Sequence, residues 1–211
     1  MRYRVLTVGP VATNCYILYG DDDAFAVAVD PGAEGGAIAA YVKSLGLEIK
    51  QIWLTHGHFD HICGAAELKK AFGAEIYMHE SDIVMIDDPY KNFSAAFGLD
   101  ACGGFEPDVI LKGGESIETP FCTASVIHTP GHSEGGVCYD TGEFLFAGDT
   151  LMDGSFGRFD GFGGSYPKLR DSLFRLFETE GERTVLPGHG AASLLSRERI
   201  SNAIIRGGGR V

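Results

Sequence analysis

The chain has no run of basic residues: its 17 lysines and arginines are scattered among 29 aspartates and glutamates, for a formal net charge of -12. A phosphate backbone is gripped through clustered Lys and Arg, so nucleic acid is excluded as an expected partner. The formal charge leaves out any bound metal, and a divalent cation makes the local field positive in an acidic protein, so a small anionic substrate stays open. Nor does any segment approach the ~20 apolar residues of a membrane span. The opening Met1-Arg2-Tyr3-Arg4-Val5 lacks the apolar stretch and small-residue cleavage site of a secretory signal. The expectation is a soluble, cytoplasmic protein with no membrane partner.

Cysteine is sparse and badly spaced for staples. Cys15, Cys63, Cys102, Cys122 and Cys138 are odd in number and contain no Cys-x-x-Cys pair, which argues against both a disulfide framework and a thiolate zinc site. All five are expected to be reduced thiols, with Cys63 a small packed side chain inside a helix.

Glycine, by contrast, is abundant. The 30 glycines fall in Pro-Gly, Gly-Gly and Gly-Asp pairs that read as turns between short elements. With 211 residues, 45% of them hydrophobic, one domain spanning residues 1–211 is expected. Apolar runs of strand length lie at 16–19, 24–29, 49–54, 74–78, 124–127, 136–139, 143–147 and 184–186. Helical spacing joins Ile38/Val42/Leu45, Ile62/Ala65/Ala66, Leu169/Leu173/Leu176/Phe177 and Ile200/Ala203/Ile204. Ser165 and Pro167 mark the start of the third helix; the last follows Ser193 or Ser196 and frays into Gly207-Gly208-Gly209. Residues 87–107, which set Phe93, Phe97 and Phe105 among polar and glycine residues, read as a long, partly helical surface excursion.

One pattern recurs four times: an apolar run, a turn of small residues, then a metal-ligand side chain. It places His56 and His58 after Ile52-Trp53-Leu54, His132 after Thr129-Pro130-Gly131, Asp149 after Phe146-Ala147-Gly148, and His189 after Leu186-Pro187-Gly188. Ligands in layered α/β architectures gather at strand ends, where a rigid scaffold holds convergent loops. His56 and His58 alternate along an extended segment, and Asp60 and His61 fall where the next helix begins. Five imidazoles and two carboxylates suffice for two adjacent metals.

The stretch Thr55-His56-Gly57-His58-Phe59-Asp60-His61 resembles the His-x-His-x-Asp-His signature of the metallo-β-lactamase superfamily. In the same order as its glyoxalase II branch come Gly9-Pro10, Asn14-Cys15-Tyr16, Asp30-Pro31-Gly32, His128-Thr129-Pro130-Gly131-His132, Gly148-Asp149-Thr150, Gly157-Arg158 with Asp160, and Pro187-Gly188-His189-Gly190. The resemblance implies an α/β fold, a four-layer αββα sandwich of two mixed β-sheets flanked by helices. It also implies two divalent ions: His56, His58 and His132 on the first, Asp60, His61 and His189 on the second, Asp149 bridging, with Asp60 and Asp149 as catalytic carboxylates. The donors are all nitrogen or oxygen, which suits zinc first, with iron and manganese as alternatives.

The implied reaction is hydrolysis of an acyl thioester such as S-D-lactoylglutathione by a metal-bridging hydroxide. Glyoxalase II proper carries a C-terminal helical domain with glutathione contacts; here only about one helix follows His189, so other small acyl thioesters are included. The alternative is a mononuclear iron enzyme like the persulfide dioxygenases, using His56, His132 and Asp149. A flavodiiron module is disfavoured by His58, which stands where that branch has Glu, and a non-catalytic binding domain by retention of all seven ligands. A homo-oligomer is left open.

By the same resemblance Asp30 orients a ligand imidazole or the signature loop. Arg158 and Asp160 form either an exposed pair worth little or a loop that holds the metal geometry or a substrate carboxylate. His79 and His128 are assigned to local hydrogen bonds.

Overall fold

A computed structural model describes residues 1–21, 24–100 and 102–207. Buried runs such as Phe-Ala-Val-Ala-Val form strands covered on both faces, as the continuous apolar sequence dictates. The first sheet contains β1 (Arg2–Val8), β2 (Thr13–Tyr19), β3 (Phe25–Val29), β4 (Glu48–Trp53), β5 (Glu75–His79) and β6 (Val109–Leu111), paired in that order. Its first three strands are antiparallel, and β3 to β6 run parallel. The parallel crossovers carry α1 (Gly35–Ser44), α2 (Phe59–Ile62) and α3 (Ala65–Phe72).

The second sheet contains β7 (Ser116–Glu118), β8 (Thr123–His128), β9 (Val137–Asp140), β10 (Phe144–Gly148), β11 (Thr184–Pro187) and β12 (Ser193–Leu194). Only β10 and β11 are parallel, joined through α4 (Tyr166–Phe177); α5 (Leu195–Ser201) follows β12.

Three apolar clusters stack these elements into four layers. Tyr16, Val27 and Trp53 of the first sheet meet Val126, Tyr139 and Phe146 of the second; Trp53 stacks on Tyr139 with ring centroids 5.1 Å apart. The outer face of the first sheet packs on α1 and α3 through Ala28, Ile52, Val42 and Leu68. The outer face of the second packs on α4 and α5 through Leu145, Val185, Leu173 and Leu195. This is the αββα sandwich expected from the sequence.

Some local readings need correction. The helix expected over Ile62/Ala65/Ala66 is two helices, broken at Cys63-Gly64. Gly64 N–H donates to Pro31 O at 2.7 Å, and a Cβ at Gly64 would stand 2.6 Å from that oxygen, so the close backbone approach interrupts the helix. The last helix ends at Ser201, before Ala203 and Ile204; Asn202 Oδ1 accepts from Ile204 N–H there, and Gly208 and Gly209 lie outside the described residues. Among its described residues the excursion at 87–107 contains one short 3-10 turn, Ser94–Phe97. Cys63 and Cys102, expected as free thiols, are paired in a disulfide across 39 residues of sequence, while Cys15, Cys122 and Cys138 are free. Spacing could not show this, because the pair forms only when the excursion folds back over α2, with Phe59 N–H donating to Asn92 O at 2.9 Å.

Candidate metal centre

The turn after β4 delivers Thr55, His56 and His58 to the seam between the two sheets, all buried. Asp30 sits at the end of the neighbouring β3, at φ 49°, a left-handed conformation that Asp enters more readily than most residues. Its carboxylate accepts from Thr55 N–H at 2.8 Å, from Thr55 Oγ1 at 2.7 Å and from His61 Nδ1 at 2.9 Å.

These bonds set the tautomers. Thr55 Oγ1 donates its proton to Asp30, so at 3.0 Å it accepts from His56 Nδ1–H, which leaves a lone pair on His56 Nε2. His132 Nδ1–H donates to Arg158 O at 2.7 Å, which leaves a lone pair on His132 Nε2. The two Nε2 atoms are 3.2 Å apart, and His58 Nδ1 is 2.9 Å from that of His132. Facing lone pairs repel unless a cation lies among them.

The acidic half lies beside this triad. His61, with Nδ1 engaged by Asp30, turns Nε2 to Asp60 Oδ2 at 3.4 Å and Asp149 Oδ1 at 3.6 Å. His189 Nε2 stands 3.2 Å from Asp60 Oδ2 and 3.7 Å from Asp149 Oδ2, which is also 3.5 Å from His132 Nε2. Asp149 therefore lies between the two groups. His61 Nε2 and Asp149 Oδ1 are buried without a hydrogen-bond partner among the described residues. Three overlapping sets, His56/His58/His132, His56/His61/Asp149 and Asp60/His61/His189, each bring their donor atoms within 4.8 Å of one another. Nitrogen and oxygen donors, set tautomers and orphaned buried atoms together fit divalent metal binding.

The electrostatics divide in the same way. Burial, reinforced by the neighbouring imidazoles, pushes His56 and His58 well below the usual histidine range and keeps them neutral. Burial opposes charge on His61 as well, but Asp60, Asp30 and Asp149 outweigh it and raise its pKa; Asp60 and Asp149 raise His189 in the same way. Asp60 is held far below the usual carboxylate range, its burial overcome by His61 and His189. The acidic half thus attracts positive charge, whether proton or metal ion.

The mouth of the site is a cavity of about 220 Å³ lined by Val11, Phe93, Ala96 and Phe97 opposite His58, Asp149, Arg158 and His189. Phe93, itself at φ 68°, lies over the His58 ring with centroids 4.8 Å apart, and the Arg158 guanidinium sits 4.9 Å from the Phe93 centroid.

The family model described as the metallo-beta-lactamase superfamily matches residues 8–189, most of the chain. The chain belongs to the metallo-beta-lactamase superfamily. Within it, the hydroxyacylglutathione hydrolase GloC of Haemophilus influenzae is 29% identical over 97% of this chain and 98% of its own. The crystal structure of the BLEG-1 B3 metallo-beta-lactamase superposes with a TM-score of 0.90 at 33% identity, covering 95% of this chain and 98% of that one. That of TTHA1623 in a di-iron-bound form does so with a TM-score of 0.83 at 33% identity, covering 94% and 98%. The protein is accordingly a metal-dependent hydrolase of this superfamily.

All seven side chains singled out in the sequence meet in this one cluster. Asp30 contacts the His61 ring directly, and Arg158 reaches the site through its carbonyl while its side chain forms an exposed pair with Asp160 at 2.7 Å. His79 and His128 stay out of it, stacked with centroids 4.2 Å apart, His79 Nδ1 accepting from Ser81 N–H and His128 Nε2 bonding Glu134 O.

Several supporting residues escaped the sequence reading. Thr13 Oγ1 donates to Asp60 Oδ2 at 2.8 Å. Asn14 and Tyr16 anchor the His189 turn, through Asn14 N–H to Gly188 O at 2.7 Å and Tyr16 Oη–H to Pro187 O at 2.7 Å. For these two the sequence did carry a signal, the Asn14-Cys15-Tyr16 motif. Asp82 had none.

Proposed function

We propose that the chain is a binuclear thioesterase of glyoxalase II type, acting on hydroxyacylglutathione or a related small acyl thioester. The observation that carries this reading is Asp149, placed between a three-histidine group and an Asp60/His61/His189 group. A mononuclear iron site on His56, His132 and Asp149 would leave the Asp60/His61/His189 group without a role. His56, His58 and His132 would hold one ion, Asp60, His61 and His189 the other, with Asp149 shared. Two such ions would supply a water nucleophile active at neutral pH and would polarise the scissile carbonyl.

The protein's own groups supply position. Asp60, far too acidic to store a proton near neutrality and tied to Thr13, serves as charge and ligand. Val11, Phe93, Ala96 and Phe97 give the acyl and thiol portions an apolar wall, and Arg158 offers a cation to an anionic end of the substrate. The similarity to GloC supports the thioester, and the di-iron relative makes iron as well supported as zinc. Cytoplasmic location is part of the same proposal. No helix among the described residues is long and apolar enough to cross a membrane.

The test is metal analysis of protein purified without added metal, paired with anaerobic hydrolysis of S-D-lactoylglutathione. About two metals per chain with turnover is the expected result. One iron per chain, no hydrolysis and oxygen uptake with glutathione persulfide would replace this reading with the dioxygenase. Turnover of a β-lactam but not of the thioester would place the chain with BLEG-1 in activity.

A further inference from the structure

Asp82 follows β5 in the short 3-10 turn Glu80–Met85 and is 1% exposed. No cation pairs with it among the described residues. Its carboxylate instead collects three donors from two distant turns: Gly57 N–H at 3.0 Å and Ser133 Oγ–H at 2.6 Å on Oδ2, and Gly135 N–H at 2.6 Å on Oδ1. Gly57 lies between His56 and His58; Ser133 follows His132. The first turn leaves a strand of one sheet, and the second joins two strands of the other. The three histidines of the first proposed ion are therefore brought together across the seam of the sandwich, with one buried carboxylate bonded to both of their turns.

The glycines fit this arrangement. A Cβ at Gly135 would stand 2.7 Å from Asp82 Cγ, and one at Gly57 would be 3.0 Å from Asp82 O and Met85 Cβ. Only bare backbone can approach the Asp82 turn this closely on both sides. Neither oxygen touches a ligand ring, so Asp82 acts through the backbone that carries the rings.

We propose that Asp82 is a positioning residue that holds the His56/His58 turn against the His132 turn and so sets the affinity of the three-histidine ion site, leaving the Asp60/His61/His189 group to other anchors. This rests on the two-ion reading above. Asn at position 82 keeps the shape but turns an amide donor toward at least one of the three donors. Loss of an outer partner that orients a metal site typically costs about 10–100-fold in affinity.

The experiment is stepwise Zn²⁺ titration of the chelator-treated full chain by calorimetry, with thermal melts, for wild type, Asp82→Asn, Ser133→Ala and Glu198→Gln. Glu198 is the comparison for a purely structural loss: it too is a buried carboxylate with three donors, from Ser193 Oγ, Gly154 N–H and Asn202 Nδ2, but it bonds to neither histidine turn. Asp82→Asn should weaken one of two Zn²⁺ equivalents by about 10–100-fold and leave the other near wild type. Ser133→Ala should do the same to a smaller degree and decides the matter if Asp82→Asn fails to fold. Glu198→Gln should lower the melting temperature with both equivalents unchanged. Two equivalents of wild-type affinity in Asp82→Asn, or in Ser133→Ala where that variant decides, overturn the inference alone, as does equal weakening in Glu198→Gln. A wild-type chain that takes up no Zn²⁺ overturns the two-ion reading and this inference with it.

Discussion

Asp30 Oδ2 lies 2.9 Å from His61 Nδ1, with the His61 side chain wholly buried and that of Asp30 3% exposed. The same carboxylate accepts from the backbone and the hydroxyl of Thr55, and that hydroxyl bonds the His56 ring. One buried acid thus sets the orientation of two imidazoles in the cluster. Asp30→Ala would orphan three buried donors and place Ala at a positive φ. The expected loss is about 3–5 kcal/mol of stability, the range for breaking a buried charged contact. Urea unfolding measures it, and metal content per chain should fall in parallel. A loss below about 1 kcal/mol would mean that water replaces the carboxylate without cost.

Gly188 is required by space rather than by backbone angle. A Cβ there would overlap Asp149 Oδ1 and stand 2.5 Å from His61 Cε1, both in the centre of the cluster. Gly188→Ala should displace Asp149 or the His189 turn, and a misplacement near 1 Å costs on the order of 10²-fold in turnover. Circular dichroism should stay native while kcat for the thioester falls. Near-normal kcat would show that the turn relaxes freely.

The buried strands and the seven clustered side chains were readable from local signals in the sequence, whereas the four-layer order came only through the resemblance to the superfamily, since strand count alone fits other α/β layer folds. Buried strands such as Phe25–Val29 are unbroken apolar runs; His56, His58, His132, Asp149 and His189 close the run-turn-ligand pattern, and Asp60 and His61 follow directly where α2 begins. What stayed hidden was either too short or too distant to leave a pattern. β6 and β7 have three residues each and β12 has two, while β1 is largely exposed and alternates poorly. Asp82 looks like any acidic turn residue until Gly57 and Gly135 are brought to it across the seam. Thr13 meets Asp60 from 47 residues away. The Cys63–Cys102 pair likewise depends on the path of residues 87–107, for which neither periodicity nor caps gave a direction.

That pair yields a prediction of its own. It ties the excursion bearing Phe93, Ala96 and Phe97 to the segment just after His61, and the Phe59 and Phe97 rings meet at a tilt with centroids 4.8 Å apart. Reduction, or Cys102→Ser, should cost about 2–4 kcal/mol and make residues 87–107 more sensitive to protease. KM should rise more than kcat falls, because the loosened wall would bear on the substrate and supplies none of the clustered ligands itself. Metal content should not change. Loss of a full metal equivalent in Cys63→Ser would instead make Cys63 a ligand.

Alkaline pH probes the opposite side of the sandwich. Cys138 is wholly buried against the outer helices, with Sγ 3.5 Å from Thr129 Oγ1 and 3.7 Å from Ala147 O. Burial pushes its thiol up to about 12, whereas an unfolded cysteine ionises near ~8.5. Between those values the unfolded chain has released a proton that the folded chain keeps, so unfolding becomes more favourable as pH rises. The contribution of Cys138 to stability is therefore complete below ~8.5 and is lost progressively toward the folded value. Buried Tyr16, also raised by burial, acts with the same sign from its unfolded value near ~10 upward. The urea midpoint of the wild type should fall from about pH 8 to about pH 10 more steeply than that of Cys138→Ala, which starts lower because of the cavity it leaves. Parallel profiles would show that the Cys138 thiol ionises as readily in the folded chain as in the unfolded one.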